Sequence, residues 1–151
     1  MYVSRYRLIG YENRVMANED FKDDTKDGGE IGAGHATTAF YEIELTEAGK
    51  VPSVGELAKV DFRYKDPEAT ESKAFTTIFT PGQVVKSFDD APADFKFAAG
   101  VIELSEILRK SKHSQGARFD DVISLTQGLT NNDKDRLELV QLAQSAKTAW
   151  K

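Results

Sequence analysis

The chain has 151 residues, 40% of them hydrophobic and 10% aromatic, and a net charge of −5. Its length suits one domain or two small ones, with a core that needs neither disulfide nor metal to hold it. Its acidity argues against a phosphate-binding nucleic-acid partner; the lack of cysteine excludes disulfides, iron–sulfur clusters and thiolate zinc, and no apolar run is long enough to span a membrane.

The first half carries the period of β-strands. "YVSRYRLIG" begins in mid-strand, with Tyr2, Tyr6 and Leu8 alternating with polar residues, and stops at Gly10. Met1 therefore reads as a start added to a domain excised from a longer protein, with any export signal upstream. "NEDFKDDTKDGG" is polar, acidic and glycine-terminated, a loop. From His35 to Leu45 the pattern puts Ala39, Tyr41, Ile43 and Leu45 on one face and Thr38, Phe40, Glu42 and Glu44 on the other. "EAGKVPSVGE" is a turn or short linker. In "LAKVDFRYK", Leu57, Lys59, Asp61 and Arg63 oppose Ala58, Val60, Phe62 and Tyr64. "DPEATES" turns the chain into "KAFTTIFTPG", a strand that ends at Pro81-Gly82. Such short strands joined by turns predict an antiparallel sheet or sandwich.

Beyond Ser87 the period lengthens. Phe97, Val101, Leu104 and Leu108, flanked by Ala98, Ile102 and Ser105, form one stripe of an amphipathic helix. Asp90 is its expected cap, with proline in the first turn, and "SKHSQG" ends it. The basic run "RKSKH" follows that helix, where cations favour the negative end of its dipole. Phe119, Val122 and Ile123 mark a second helix closed by Gly128. Asn131 or Asn132 caps a third, whose apolar line is Leu139, Ala143, Ala146 and Trp150. The fold class expected is α+β: an antiparallel β-sandwich-like half over 1–86 and a three-helix half over 87–151, together one structural unit.

"DDTKDGGEIGAGH", Asp23 to His35, is the stretch with most chemistry in it. As a calcium loop it places Asp23, Thr25, Asp27 and Gly28 at EF-hand positions 1, 3, 5 and 6, then fails at position 12, where Gly34 replaces a glutamate. Asp23, Asp27 and Glu30 remain weak candidates for a different calcium site. "GEIGAG" lacks the Lys-Ser/Thr step and the following helix of a phosphate loop. Turn chemistry, with glycines at positive φ and aspartates bonding their own backbone, explains the stretch best. His35 and His113 are far apart and read as surface or turn residues. The pairs Asp23-Asp24, Asp89-Asp90 and Asp120-Asp121 read as caps and solvated charge rather than facing carboxylates, and no G-x-S-x-G elbow is present. No catalytic constellation and no cofactor is expected.

The run "YRLIGYENRVMANEDFKDDTKDGGEIGAGHATTAFYEIEL", with "LAKVDFRYKDPEATES" and "ADFKFAAGVIELSEILRKS", resembles the C-terminal domain, of unknown function, of bacterial von Willebrand factor type A proteins of the YfbK-like family. The resemblance covers nearly the whole chain. It implies an upstream type A domain with its D-x-S-x-S adhesion motif, which is not in this sequence, and an extracytoplasmic place at the cell envelope, periplasmic or lipid-anchored. It further implies a β-scaffold flanking the type A domain, with strands donated from before that domain and an edge left open here. "GEIGAGHATTAFYEIEL" also resembles the glycine–apolar–glycine step into a strand of Ig-like sandwiches, which would make Ile31 a buried plug.

These readings converge on a non-enzymatic module that scaffolds the adjacent type A domain and supports interaction with a further protein partner. The alternative is an independent calcium- or glycan-binding module on the Asp23–Glu30 loop.

Overall fold

The computed structural model describes residues 2–11, 16–26, 28–49 and 55–150. It divides into two compact units, Met1–Val84 and Val85–Lys151. The first holds β1 (Val3–Ile9), β2 (Phe40–Leu45), β3 (Ala58–Tyr64) and β4 (Lys73–Phe79). The second holds α1 (Ala93–Leu108), α2 (Phe119–Gln127) and α3 (Lys134–Ala149). The class is α+β, with two small antiparallel sheets followed by three helices, β1 pairing with β2 and β3 with β4.

In the first sheet the register runs Ile9 to Phe40, Leu8 to Tyr41, Tyr6 to Ile43, and then shifts so that Val3 meets Leu45. The shift is a bulge at Ser4, whose hydroxyl donates to the Glu44 carbonyl at 3.0 Å. One extra residue changes the parity of the strand. Val3, Tyr6 and Leu8 thereby share a face with Tyr41, Ile43 and Leu45, while Arg5 pairs with Glu44 and Arg7 with Glu42 on the other. The strand expected from His35 starts only at Phe40. Its partner explains the difference: β1 ends at Ile9, Gly10 turns away at φ +75°, and residues 35–39 have no strand to pair with. Ile31 is not a buried plug. It is 71% exposed, in a loop with Gly29 and Gly34 at positive φ.

In the second hairpin Phe62 faces Phe75, Val60 faces Thr77 and Tyr64 faces Lys73. The alternation expected from sequence therefore holds, with aromatic side chains on one face and Lys59, Asp61 and Arg63 on the other. Of the "EAGKVPSVGE" linker, residues 50–54 lie outside the described ones.

The helical unit has a sealed core of Leu104, Ile107, Phe119, Val122 and Ala143, with Ala117, Ile123, Leu139 and Ala146 packed against it. The buried line of α1 is Gly100, Leu104 and Ile107, a rotation from the expected stripe, and Leu108 is 40% exposed. Gly100 is the reason: a Cβ there would lie 2.5 Å from Thr126 Cγ2, so the missing side chain lets α2 approach α1. Asp90 does not cap α1. It sits in a short 3-10 turn, accepting from Ser87 Oγ at 3.0 Å, and Pro92 holds the capping position without a side-chain bond.

The cap of α3 is Asp133, which accepts from the N–H groups of Asp135 at 2.9 Å and Arg136 at 3.1 Å. Asn131 and Asn132 both take left-handed backbone, φ 50° and 60°, a conformation asparagine tolerates, and the cap falls one residue later. Arg136 then ties α3 to α1, donating to Leu129 O at 3.0 Å and Asp94 Oδ1 at 2.7 Å with its guanidinium over the Phe97 ring. Trp150 lies edge-on to Phe119, with ring centroids 5.4 Å apart.

Candidate functional site

The acidic loop is used as a fastener. Asp23 Oδ1 accepts from the Thr25 N–H at 2.9 Å and the Thr25 hydroxyl at 2.7 Å, closing a turn on itself. These bonds hold the Asp23 carboxyl below the ordinary range. Asp24 points the other way, onto the polar face of the β3–β4 hairpin. Arg63 Nη2 donates to Asp24 Oδ1 at 2.7 Å, and the same guanidinium donates to Phe21 O at 2.7 Å and to the Ser72 hydroxyl. Lys65 Nζ adds a bond to Asp24 O at 2.6 Å, and the Ser72 N–H reaches Asp24 Oδ2 at 3.4 Å. Hydrogen bonding from Ser72, followed by the Arg63 and Lys65 charges, lowers the Asp24 carboxyl as well.

Of the three weak metal candidates, Asp23 is turned into its own turn, Glu30 is exposed, and Asp27 lies outside the described residues. Among the described residues no cluster of three or more His, Asp or Glu side chains is placed to hold a metal ion. His35 is exposed, its N–H closing a turn to Gly32 O at 3.0 Å, and His113 is exposed in the other unit. In the remaining acid pairs Asp90, Asp120 and Asp121 are engaged within the helical unit. Asp121 pairs with Arg118 at 2.7 Å, Asp120 with Lys147 at 2.5 Å, and Asp90 accepts from Ser87. Glu106, buried in α1, pairs with Arg109 at 2.6 Å.

The aromatic face of the hairpin is the second feature. Phe62 and Phe75 stack with centroids 4.7 Å apart and planes 11° from parallel, and Tyr64 meets Phe75 edge-on at 6.5 Å. Such cross-strand pairs stabilise a ribbon by roughly 0.2–1 kcal/mol. All three rings stay open to solvent, Phe62 at 44% and Phe75 at 53%. The buried hydrophobic side chains among the described residues all belong to the helical unit, from Ala91 onward. On the first sheet the apolar face is half-buried at Val3, Leu8, Ile43 and Leu45 and open at Tyr6 and Tyr41, Tyr6 being 73% exposed.

Arg63, Ser72 and Lys65 were not legible as site residues, because the ion pair that joins Arg63 to Asp24 spans 39 positions and carries no local pattern. The face occupied by Phe62 and Tyr64 was legible; that it stays uncovered was not.

Comparison with known proteins gives one family. The model described as "Uncharacterized protein YfbK, C-terminal" matches residues 1–149. The chain is 28% identical over 163 aligned positions to the uncharacterized protein YfbK of Escherichia coli (strain K12), covering 96% of this chain and 27% of that protein. The chain thus spans about a quarter of the length of the curated relative it matches. No solved structure matches. Among the described residues no helix is long and apolar enough to cross a membrane.

Proposed function

Because the chain belongs to the YfbK C-terminal family, we propose that it is a non-catalytic C-terminal module that scaffolds an upstream von Willebrand factor type A domain. Through that domain it supports binding of a further protein partner at the bacterial cell envelope.

One observation carries the reading. The β unit leaves the aromatic face of the β3–β4 hairpin exposed and has no fully buried hydrophobic side chain among its described residues, whereas the helical unit has a buried core of Leu104, Ile107, Phe119, Val122 and Ala143. Two-stranded ribbons are marginal on their own, and contiguous apolar surface marks interaction sites. A module whose purpose is to pack against a neighbour has that composition. The polar groups support a structural role in turn: Asp23 and Asp24 of the acidic loop, and Asp120 and Asp121 at the start of α2, accept hydrogen bonds or pair with cations of the same chain.

The alternative, an independent calcium- or glycan-binding module on Asp23–Glu30, draws less support, since Asp23 and Asp24 already bond Thr25, Arg63 and Ser72.

The test is to produce the type A domain encoded upstream and measure its melting temperature with and without this chain in trans. A rise on addition, together with co-elution, supports scaffolding. No binding and no shift, with this chain folded, defeats it.

A further inference from the structure

The acidic loop meets the β3–β4 hairpin on its polar side, at Arg63, while Lys59, Asp61, Thr76 and Ile78 of that side stay exposed. An antiparallel sheet with one wet face normally packs its apolar side and solvates its polar side. Here the loop contact lies on the polar side, and the side carrying Val60, Phe62, Tyr64 and Phe75 is open. The rings on that side are already stacked on one another, so the face is pre-organised and little side-chain freedom is left to lose when something covers it.

The length relation points to the occupant. The matching family is a C-terminal one, and this chain aligns with 27% of YfbK, so most of the relative's polypeptide lies before the region shared with this chain. We propose that the face formed by Val60, Phe62, Tyr64 and Phe75 is an intramolecular docking surface, covered by an apolar surface of the polypeptide that precedes this domain. The assignment rests on the scaffolding role proposed above and names the contact through which it acts.

Thiol labelling tests it, because the chain has no cysteine of its own. Thr77 lies on the aromatic side, opposite Val60, and Ile78 lies on the polar side, opposite Lys59; both are exposed. The variants are Thr77→Cys and Ile78→Cys, each made in the 151-residue chain and in the polypeptide encoded by the complete reading frame. Labelling is followed by peptide mass. At Thr77→Cys the longer polypeptide is expected to react about tenfold more slowly or less, while Ile78→Cys reacts equally in both.

Equal reaction at Thr77→Cys in the two polypeptides overturns the assignment, as does a reading frame that encodes nothing before this domain. Shielding of Thr77→Cys that grows with concentration in the 151-residue chain gives the face to a second copy and overturns it too. If the type A domain is still stabilised in trans while Thr77→Cys stays unshielded, scaffolding holds and the contact lies elsewhere. If neither effect is seen, both readings fall.

Discussion

Arg63 and Asp24 meet at 2.7 Å across 39 positions of sequence, and the contact fastens the loop between β1 and β2 to the polar face of β3. The same guanidinium reaches Phe21 O and Ser72, so one side chain serves three acceptors on two segments. A lysine offers a single point charge and cannot span that fork. Arg63→Lys is therefore expected to release the loop over 20–26 while leaving β3 and β4 paired. Limited proteolysis with peptide mapping should show cleavage in that loop rising severalfold, and Asp24→Asn should act in the same direction.

The clamp also has a pH signature. The Asp24 carboxyl is lowered by hydrogen bonding from Ser72 first, then by Arg63 and Lys65. A carboxyl depressed in the folded state contributes stability that is present above its unfolded pKa and fades as pH falls through the folded one. Loop attachment should thus persist through the ordinary carboxylate range and be lost only below it. Carboxyl-carbon NMR titration checks this, and Ser72→Ala should move the Asp24 midpoint upward.

Gly100 sets up a conflict between helix propensity and packing. Alanine in a helix interior is favoured over glycine by about 1 kcal/mol, yet a Cβ here would sit 2.5 Å from Thr126 Cγ2 in a fully buried site. Overpacking of this kind destabilises by roughly 1–3 kcal/mol, so Gly100→Ala should lower the stability of the helical unit. Thr126→Ser removes Cγ2 and keeps the hydroxyl that donates to Val122 O at 2.8 Å. In a double-mutant cycle followed by chemical denaturation, Gly100→Ala should be distinctly better tolerated in the Thr126→Ser background. Additive effects would show that the contact is not the cause.

Glu103 gives the opposite pH sign from Asp24. Burial raises its carboxyl, and the nearby Asp121 charge raises it further. An acid raised in the folded state loses stability as pH climbs from its unfolded pKa through the folded value, and the loss is complete above it. Glu103→Gln should stabilise the helical unit at neutral pH, leave it unchanged well below the ordinary glutamate range, and flatten the slope between. Thermal melts across that pH range measure it.

Calcium at millimolar concentration, followed by EDTA, should leave the melting temperature of the β unit unchanged, because Asp23 and Asp24 already accept from Thr25, Arg63 and Ser72. A reversible rise would restore the calcium reading of Asp23, Asp27 and Glu30.

The period of the chain separated strands from helices, and turn chemistry placed the breaks, since both are local properties. What escaped was set by partners distant in sequence. Residues 35–39 alternate as a strand should, but β1 ends too early to pair with them. The α1 stripe was drawn through Leu108 because a hydrophobic count is blind to glycine, and Gly100 is what turns the helix toward Ile107. Asn131 and Asn132 are good caps by type, but both are occupied with a left-handed turn. At the acidic loop, composition suggested ligands and the structure supplied donors from β3 and β4 instead.

The bulge at Ser4 bears on how such a chain can change over generations. Removing that residue, or adding one beside it, would exchange the tyrosine side of β1 for the arginine side and break both charge pairs with β2 at once. The alignment with YfbK runs over 163 positions against 151 residues here, so the two lineages differ by insertion. Within β1 such an insertion inverts a whole face, whereas the loops between strands absorb it freely. An insertion is therefore expected to be tolerated in the connections and not in β1, where the odd residue keeps the two sides of the sheet distinct.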